Sequence, residues 1–486
     1  MNHTGGHGAR RRALITGLAA VVALTATACG EETKGQLQTA GDIAGLPVTH
    51  FESGLKPDAP TPELQVRNAT DSQEDRLAIA AIADVSDYWA QEMPAHWGEE
   101  FEPVAQLLSY DPNEAEIEVC GATTADAAMN AFYCPPEDLV AWDRGLLLPL
   151  LRERFGPMAI VTVLGHEFGH AIQFRLGDKA GVDESTSTIV KEQQADCFTG
   201  SYFRWIAEDK SKYFTVSTSE GLNQVLASMF FIRDEAGQSA AEQGAHGTAF
   251  DRTYAFQLGF EQGAKECAAI DQENVDARIT EQPFHDGDAG SGDIAIDADS
   301  VGLLQQSLDE AFAGANVEPP QIVDDGGECD GGRSTPPASY CADTNTVSID
   351  MEELAAIGQP VDREAEFQGT ESAGGLGDFA AFSEIASRYT QGIQKGVGAA
   401  LDNANAGLRT SCLVGAWAGA IKDPGSGNTL ILSSGDLDEA IAELLQPRSL
   451  LAADVNGHPV ANGFARVESL RLGYFEGSSA CTKNYG

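Results

Sequence analysis

The sequence predicts an α+β fold made of two tandem copies of one domain. Three observations support this prediction. A series of landmarks occurs twice in the same order, at offsets of roughly 207 to 221 residues. The stretch PMAIVTVLGHEFGHAIQFRL has the apolar period of a helix, and a small sheet is expected before it. The 486 residues, 42% of them hydrophobic, suffice for two cores.

The longest match of the repeat lies near the end of each copy. Residues 252–267, RTYAFQLGFEQGAKEC, and residues 466–481, RVESLRLGYFEGSSAC, both read Arg, five residues, Leu, Gly, an aromatic residue, two residues, Gly, three residues and Cys. An ordered series of such matches indicates a duplication. It predicts one domain over residues 71–270, a Gly- and Asp-rich linker over 271–298 and a second domain over 299–486.

The N-terminus has the pattern of an export signal. Arg10, Arg11 and Arg12 precede the apolar run ALITGLAAVVALTATA, which ends directly before Cys29. The small residues before Cys29 resemble a bacterial lipobox, so we predict a signal peptide over 1–28 and a lipid anchor on Cys29. An ordinary secretory signal cleaved near Ala28 is the alternative.

The predicted anchor implies an extracytoplasmic protein on the cell membrane. Residues 29–70 are rich in Pro, Thr, Gly and acidic residues, and are predicted to form a flexible tether.

The cysteine content agrees with export. Eight cysteines besides Cys29 are an even number, which favours disulfides in an exported chain. Each half holds four of them in the same order, so pairing within halves is expected. The predicted bonds are Cys120 with Cys134, Cys197 with Cys267, Cys329 with Cys341, and Cys412 with Cys481.

The charge is strongly acidic. Asp and Glu number 74 against 30 Lys and Arg, which gives a formal net charge of -44. Such a chain repels phosphate backbones, so nucleic acid is excluded as an expected partner.

The helix predicted from Pro157 carries the clearest chemistry. His166 and His170 lie four residues apart, which places both imidazoles on one side of a helix where they can share a metal. Glu167 lies beside them, directed toward a metal-bound water. Two partly exposed histidines on a surface helix are the plain structural alternative.

A second predicted helix, within STSTIVKEQQADCFTGSYFRWIAED, offers the further groups that such a site needs. Glu192 and Asp196 lie four apart on one face, so Glu192 can complete the metal set. Asp196 can accept the N–H of a ligating histidine and fix its tautomer. The alternative is that both are solvated acids on an acidic surface.

Together these segments resemble a known family. The segments are DVSDYWAQ, AFYCPPEDLVAWD, GHEFGHAIQ, KEQQADCFTG and HGTAFDRTYAFQLGFEQGAKEC. They are similar to the bacterial putative neutral zinc metallopeptidase family, a zincin, over about residues 75–270. The fold that this implies is α+β, with two tandem zincin-like domains, the second degenerate.

The resemblance also implies a reaction. It implies one Zn²⁺ held by His166, His170 and Glu192, with Glu167 as general base and acid in the hydrolysis of a peptide or protein substrate. The oxyanion needs a further donor. His246 is our preferred candidate among residues 246–254, with Arg252 and Tyr254 as the others; a structural hydrogen-bonding role is the alternative for each.

The second copy lacks these groups. In the repeat, His166 corresponds to Ser387, Glu167 to Arg388 and His170 to Gln391. Glu192 falls near Gly407 and Asp196 at Ser411, while apolar positions persist. This pattern is typical of a domain that keeps the packing of a fold without its site.

Two other functions fit the sequence. One is a non-catalytic envelope binding protein in which any zinc is structural, although a structural site has no use for Glu167. The other is a zinc amidase that acts on cell-wall peptides, which only substrate profiling separates from a peptidase.

Overall fold

The computed structural model describes residues 41–242, 244–280, 283–284, 292–330, 333–368, 374–423 and 427–486. The predicted signal peptide and Cys29 lie outside the described residues. Among the residues that are described, no helix combines the length and apolar character needed to cross a membrane.

The first half, up to residue 280, combines short strands with long helices. Its strands are β1 (Asp42–Ile43), β2 (Leu46–Pro47), β3 (Gly54–Leu55), β4 (Gln106–Tyr110), β5 (Glu118–Val119), β6 (Ala122–Thr123), β7 (Ala131–Cys134), β8 (Leu139–Asp143) and β9 (Phe214–Thr215). Its helices are α1 (Gln73–Trp97), α2 (Leu147–Phe155), α3 (Pro157–Leu176), α4 (Thr188–Ala207), α5 (Glu220–Phe231), α6 (Ala249–Gln262), α7 (Ala264–Cys267) and α8 (Gln272–Asp276).

The second half, from residue 292, has fewer strands and a similar set of helices. Its strands are β10 (Gln321–Asp324), β11 (Ala338–Cys341) and β12 (Thr346–Ile349). Its helices are α9 (Ala298–Phe312), α10 (Met351–Ile357), α11 (Arg363–Gln368), α12 (Asp378–Gly396), α13 (Ala406–Ile421), α14 (Asp436–Leu444), α15 (Gly463–Glu476) and α16 (Ser478–Tyr485). The α+β fold class predicted from the sequence is confirmed.

The three-stranded sheets of the two halves have the same topology. In the first half the order is β4-β8-β7, with β4 parallel and β7 antiparallel to β8. In the second half the order is β10-β12-β11, with β10 parallel and β11 antiparallel to β12. In both sheets the strand that ends in a cysteine, β7 or β11, lies at an edge.

The disulfides also follow one scheme. The bonds are Cys120–Cys134, Cys197–Cys267, Cys329–Cys341 and Cys412–Cys481, which are the pairs predicted from the repeat. The two long loops close over nearly equal lengths, 70 and 69 residues.

Close helix crossings accompany the long-range disulfides. Helices α4 and α6 cross at Gly200 and Gly259, where a Cβ on either glycine would overlap a backbone carbonyl of the other helix. Helices α13 and α15 cross in the same way at Gly415 and Gly473. Glycine is required at these positions because no side chain fits between the backbones.

Each half has its own core inside one compact unit. The core of the first half includes one residue of the second, Phe464, and the core of the second half includes Ala249 and Phe250 of the first. The halves are therefore packed together through apolar residues that each inserts into the other.

The described part of the predicted tether belongs to the fold. Strand β3 pairs antiparallel with β9, Ile43 is fully buried, and Thr49 N donates to Thr218 Oγ1 at 2.9 Å. A composition rich in Pro and Thr indicated a flexible segment, but these residues make long-range contacts that composition does not reveal. The predicted linker likewise begins with a helix, α8, before its undescribed residues.

Candidate metal centre

Two adjacent helices, α3 and α4, position the predicted ligands. Helix α3 begins at Pro157, whose missing N–H costs nothing in the first turn. At Gly169, which lies between His166 and His170, an added Cβ would lie 2.9 Å from Cα of Ala195 on α4. The glycine in the histidine motif therefore lets α4 approach α3 closely.

This approach brings the three predicted metal ligands together. His166 Nε2 lies 3.0 Å from Glu192 Oε2, and His170 Nε2 lies 3.3 Å from Glu192 Oε1. The possible ligand atoms of these residues all lie within 4.8 Å of one another. Two nitrogens and a carboxylate thus converge on one point.

Each histidine is oriented by a hydrogen bond at its other ring nitrogen. His166 Nδ1 lies 2.7 Å from Asp196 Oδ1, as predicted for Asp196. His170 Nδ1 lies 3.1 Å from Gln173 Oε1, and the amide of Gln173 donates to Lys191 O. Because both Nδ1 atoms have oxygen partners, both Nε2 atoms are directed to the shared centre.

Asp196 is fixed in turn by Arg252 on α6. The guanidinium donates from Nε to Asp196 Oδ2 and from Nη2 to Oδ1, each at 2.9 Å, and from Nη1 to Ile232 O at 3.0 Å. Arg252 is 2% exposed. It is therefore fully engaged in holding Asp196, which makes it a support of His166 and not the oxyanion donor that the sequence allowed.

Glu167 lies beside the edge strand β7. Its Oε2 accepts a hydrogen bond from Tyr133 N at 3.0 Å. Burial raises the pKa of Glu167, although the neighbouring His166 and His170 oppose this. A carboxylate with a raised pKa suits a group that both accepts and returns a proton.

The buried acids and imidazoles of the centre shift one another's pKa values. Burial disfavours a charged His166, but the carboxylates of Asp196 and Glu192 outweigh it and raise its pKa to about 10. Burial also disfavours a charged Glu192, yet His170 and His166 hold its pKa well below its usual range. The carboxylates of Glu192 and Asp196 therefore favour a positive charge at the imidazoles, which a proton or a bound cation can supply.

The donor set fits zinc. Glu192 Oε2 is buried, and although His166 Nε2 lies 3.0 Å from it, no well-aligned hydrogen bond reaches it from the described residues. Two imidazole nitrogens and one carboxylate oxygen are a common protein ligand set of catalytic zinc, which keeps a further position open.

The remaining predicted donors, His246 and Tyr254, have other partners. His246 is about half exposed, and its Nδ1 lies 3.2 Å from Asp234 Oδ1. Tyr254 packs against Arg278, whose guanidinium carbon lies 4.4 Å from the ring centre. In the described part of the chain neither side chain forms a hydrogen bond or ion pair with the three ligands, and the assignment of His246 stays a prediction.

Sequence reasoning missed two supports of the centre. Gln173 follows His170 by three residues on the same helix face, and its counterpart in the repeat is also glutamine, Gln394. This recurrence was a usable signal. The backbone N–H of Tyr133 has no such signal, because any residue could supply it.

A cleft of about 800 Å³ opens beside the centre. Tyr133, Phe174, Val182 and Lys191 line it together with His170 and Glu192. Phe174 is 65% exposed, although it is a large apolar side chain. A partly apolar cleft of this size with ligands at its wall has the character of a binding site.

Comparisons with known proteins agree with the chemistry of the centre. A family model described as "Putative neutral zinc metallopeptidase" matches residues 2–270. Uncharacterized proteins of Mycobacterium bovis and Mycobacterium tuberculosis are 25% identical over 162 residues, which cover 29% of this chain and 55% of theirs. The chain thus spans about half the length of these curated relatives. No solved structure matches it.

Proposed function

The chain belongs to the putative neutral zinc metallopeptidase family, and from this premise we propose that it hydrolyses peptide bonds with one zinc ion held by His166, His170 and Glu192. The observation that carries the proposal is the convergence of these three side chains on one point with Glu167 beside them. Bound zinc would polarise the scissile carbonyl and lower the pKa of a water molecule.

The chain's own groups move the proton. Tyr133 N–H occupies Oε2 of Glu167, so we assign proton transfer to Oε1. This oxygen takes a proton from the attacking water and delivers it to the leaving amine. Asp196 and Gln173 keep the two imidazoles in the orientation that the reaction needs.

An extended peptide is the substrate shape that the centre favours. Strand β7 is an edge strand, and Tyr133 N–H points from it to Glu167 and away from β8. A peptide that adds to this edge as a further strand would pass the centre, with side chains reaching the cleft around Phe174. The proposed substrate is therefore a peptide or an extended protein segment.

Glu167→Gln tests the reaction. The variant keeps size and the ligand set but removes the proton carrier, so cleavage of casein or a peptide library should fall by a factor of about 100 to 10,000. Zinc content should stay at one per chain. Glu153→Gln is the matched control, because Glu153 is 70% exposed on α2 and the same chemical change there should leave cleavage intact.

Other outcomes would favour the alternatives. Full activity in Glu167→Gln would contradict the mechanism. Zinc binding without any hydrolysis would favour an envelope binding protein, and cleavage of cell-wall peptides with casein left intact would favour an amidase.

We also propose that the second half is a degenerate copy of the first. The matching sheet topology, disulfides and glycine crossings support this, and residues 387, 388 and 391 supply no ligand set. The full chain should therefore bind one zinc, and two equivalents would contradict the proposal.

The proposed location is the extracytoplasmic face of the cell membrane, with a lipid on Cys29. Cys29→Ser should release the protein from the membrane fraction and remove the mass of the lipid. Unchanged fractionation and mass would instead support an ordinary secretory signal.

A further inference from the structure

The contacts between the two halves are reciprocal. Gln257 on α6 donates from Nε2 to Phe464 O at 2.8 Å, and Arg471 on α15 donates from Nη2 to Phe250 O at 3.1 Å. Gln257 corresponds to Arg471 in the repeat, and Phe250 corresponds to Phe464. In the first contact a residue of the first half donates to a carbonyl of the second half. In the other contact the corresponding residue of the second half donates to the corresponding carbonyl of the first. Such exchanged pairs occur in a two-fold symmetric dimer.

The N-termini of α6 and α15 are held in the same reciprocal way. Asp438 on α14 accepts from Ala249 N at 3.1 Å and from Phe250 N at 2.9 Å. Asn223 on α5 accepts from Gly463 N at 2.6 Å. Each half therefore satisfies free N–H groups at the start of a helix in the other half.

Only one of these two helices leads to the candidate metal centre. Arg252 lies in the first turn of α6, one turn of helix from Ala249 held by Asp438, and it clamps Asp196, which holds His166. The corresponding Arg466 on α15 donates instead to the carbonyls of Leu444 and Gln446. A support from the second half to α6 is thus a support of the zinc centre.

A second contact from the second half supports the backbone whose carbonyl accepts from Arg252. Arg363 of the second half donates from Nη2 to Phe231 O and Arg233 O, each at 3.3 Å. Ile232, the residue between them, supplies the carbonyl that accepts from Arg252 Nη1. The backbone acceptor of Arg252 is therefore held from both sides by one guanidinium.

We propose that the second half acts as a built-in partner subunit whose Asp438 and Arg363 are positioning residues for His166. They act through Arg252 and Asp196, and the second half stands where a second copy would stand in a symmetric dimer. This inference rests on the proposed zinc centre and gives the half that lacks counterparts of His166, His170 and Glu192 a role in it.

The reciprocal contacts supply a matched pair of variants for the test. Asp438→Asn weakens the hold on α6, and Asn223→Ala removes the hold on α15. Both variants weaken the capping of a helix, so each controls for the general effect of that change. Only Asp438→Asn should lower zinc affinity, by about tenfold, as expected for a residue outside the ligand shell that supports a ligand.

Zinc affinity is measured by competition with a chromophoric chelator, and the Co²⁺-substituted proteins are compared by visible absorption. Asp438→Asn should change the Co²⁺ spectrum, and Asn223→Ala should not. Unchanged affinity and spectrum in a folded Asp438→Asn, or an equal fall in affinity in Asn223→Ala, would overturn the proposal.

Arg363→Lys keeps the inference testable if Asp438→Asn does not fold. The lysine retains the charge but lacks the guanidinium whose Nη2 reaches both carbonyls, so zinc affinity should again fall while folding persists. Wild-type affinity in Arg363→Lys would then overturn the proposal. Failure of the wild type to bind zinc would instead refute the proposed function, and the two failures are therefore distinguishable.

Discussion

The helices α3 and α12 occupy corresponding places in the two halves but use their polar residues differently. In α3, His166 and His170 converge on Glu192. In α12, Ser387 Oγ donates to Glu384 O within its own helix, and Gln391 Nε2 donates to Ala453 O. The same backbone frame thus presents side chains to a shared centre in one half and to backbone carbonyls in the other.

In the second half Arg388 takes the place of Glu167 and binds a neighbouring segment of backbone. Arg388 is fully buried and donates to Leu450 O and Asp454 O. Burial lowers its pKa to about 10. Together with Gln391 it binds the segment 450–454 against α12. The first half has the acid Glu167 at the corresponding position.

The conserved arginine of the repeat makes the same point. Arg252 meets a carboxylate, Asp196, whereas Arg466 faces Ser411, whose Oγ donates to Arg466 O. The guanidinium of Arg466 then turns to the carbonyls of Val460, Leu444 and Gln446. A buried arginine needs hydrogen-bond acceptors. Because serine stands where the first half has Asp196, Arg466 takes backbone carbonyls as its acceptors, and helix α15 is retained.

The largest difference expected between the halves concerns metal content. His166→Ala leaves two protein ligands, so dialysed protein should fall from one zinc per chain to essentially none. Ser387→Ala, at the corresponding position, should keep one. Elemental analysis checks both, and loss of zinc in Ser387→Ala would break the comparison.

The long disulfides should instead affect the two halves alike. The loops of 70 and 69 residues predict a loss of about 4 kcal/mol in the free energy of unfolding when either bond is removed. The variants are Cys197→Ser with Cys267→Ser, and Cys412→Ser with Cys481→Ser, compared by chemical denaturation. A large difference between the two losses would show that the two halves differ in stability despite their similar disulfide loops.

The pH dependence of the free energy of unfolding should differ between Asp438, which supports α6, and Asn223, which supports α15. Burial raises the pKa of Asp438 from 3.8 to about 6, while Arg233 and the N–H groups of α6 oppose this. The folded state therefore holds this proton more tightly than the unfolded state. Stability from this group is present below about pH 4 and is lost as pH rises through about 6, by about 3 kcal/mol.

The measurement is the free energy of unfolding of wild type and Asp438→Asn between pH 4 and 6. The difference between the two proteins should change across this window in the direction given, since asparagine does not titrate. Asn223→Ala should show no change relative to wild type. An unchanged difference for Asp438→Asn would contradict the raised pKa.

The smallest expected effect compares two glutamines at corresponding positions. Gln173 orients His170, whereas Gln394 accepts from Arg409 Nε at 2.6 Å. Gln173→Met should reduce zinc affinity by about tenfold, which is about 1.4 kcal/mol. Gln394→Met should leave zinc affinity unchanged. Both affinities are measured by chelator competition, and an equal loss of affinity in the two variants would contradict the distinction.

The pattern of residues predicted which side chains come together because its logic is local. His166 and His170 share a helix face through the period of the helix, and Glu192 and Asp196 share another. The start of α3 at Pro157 and the cysteine pairs were predicted for the same kind of reason, from spacing and from the repeat.

Long-range contacts escaped prediction. The packing of residues 41–70, the N–H of Tyr133 at Glu167 and the carboxylate clamp of Arg252 all join segments far apart in the chain. Composition described residues 41–70 as a tether because it records residue types and not their partners.

The sequence by itself determined the repeat, and which half contains the candidate zinc ligands, because both follow from residue identity and helical period. Only the tertiary structure decided that Glu192 meets both histidines and that Asp438 and Arg363 reach the surroundings of Arg252. Such meetings depend on how helices approach one another. That approach is set by the packing of all contacting side chains at once, and no single stretch of sequence contains it.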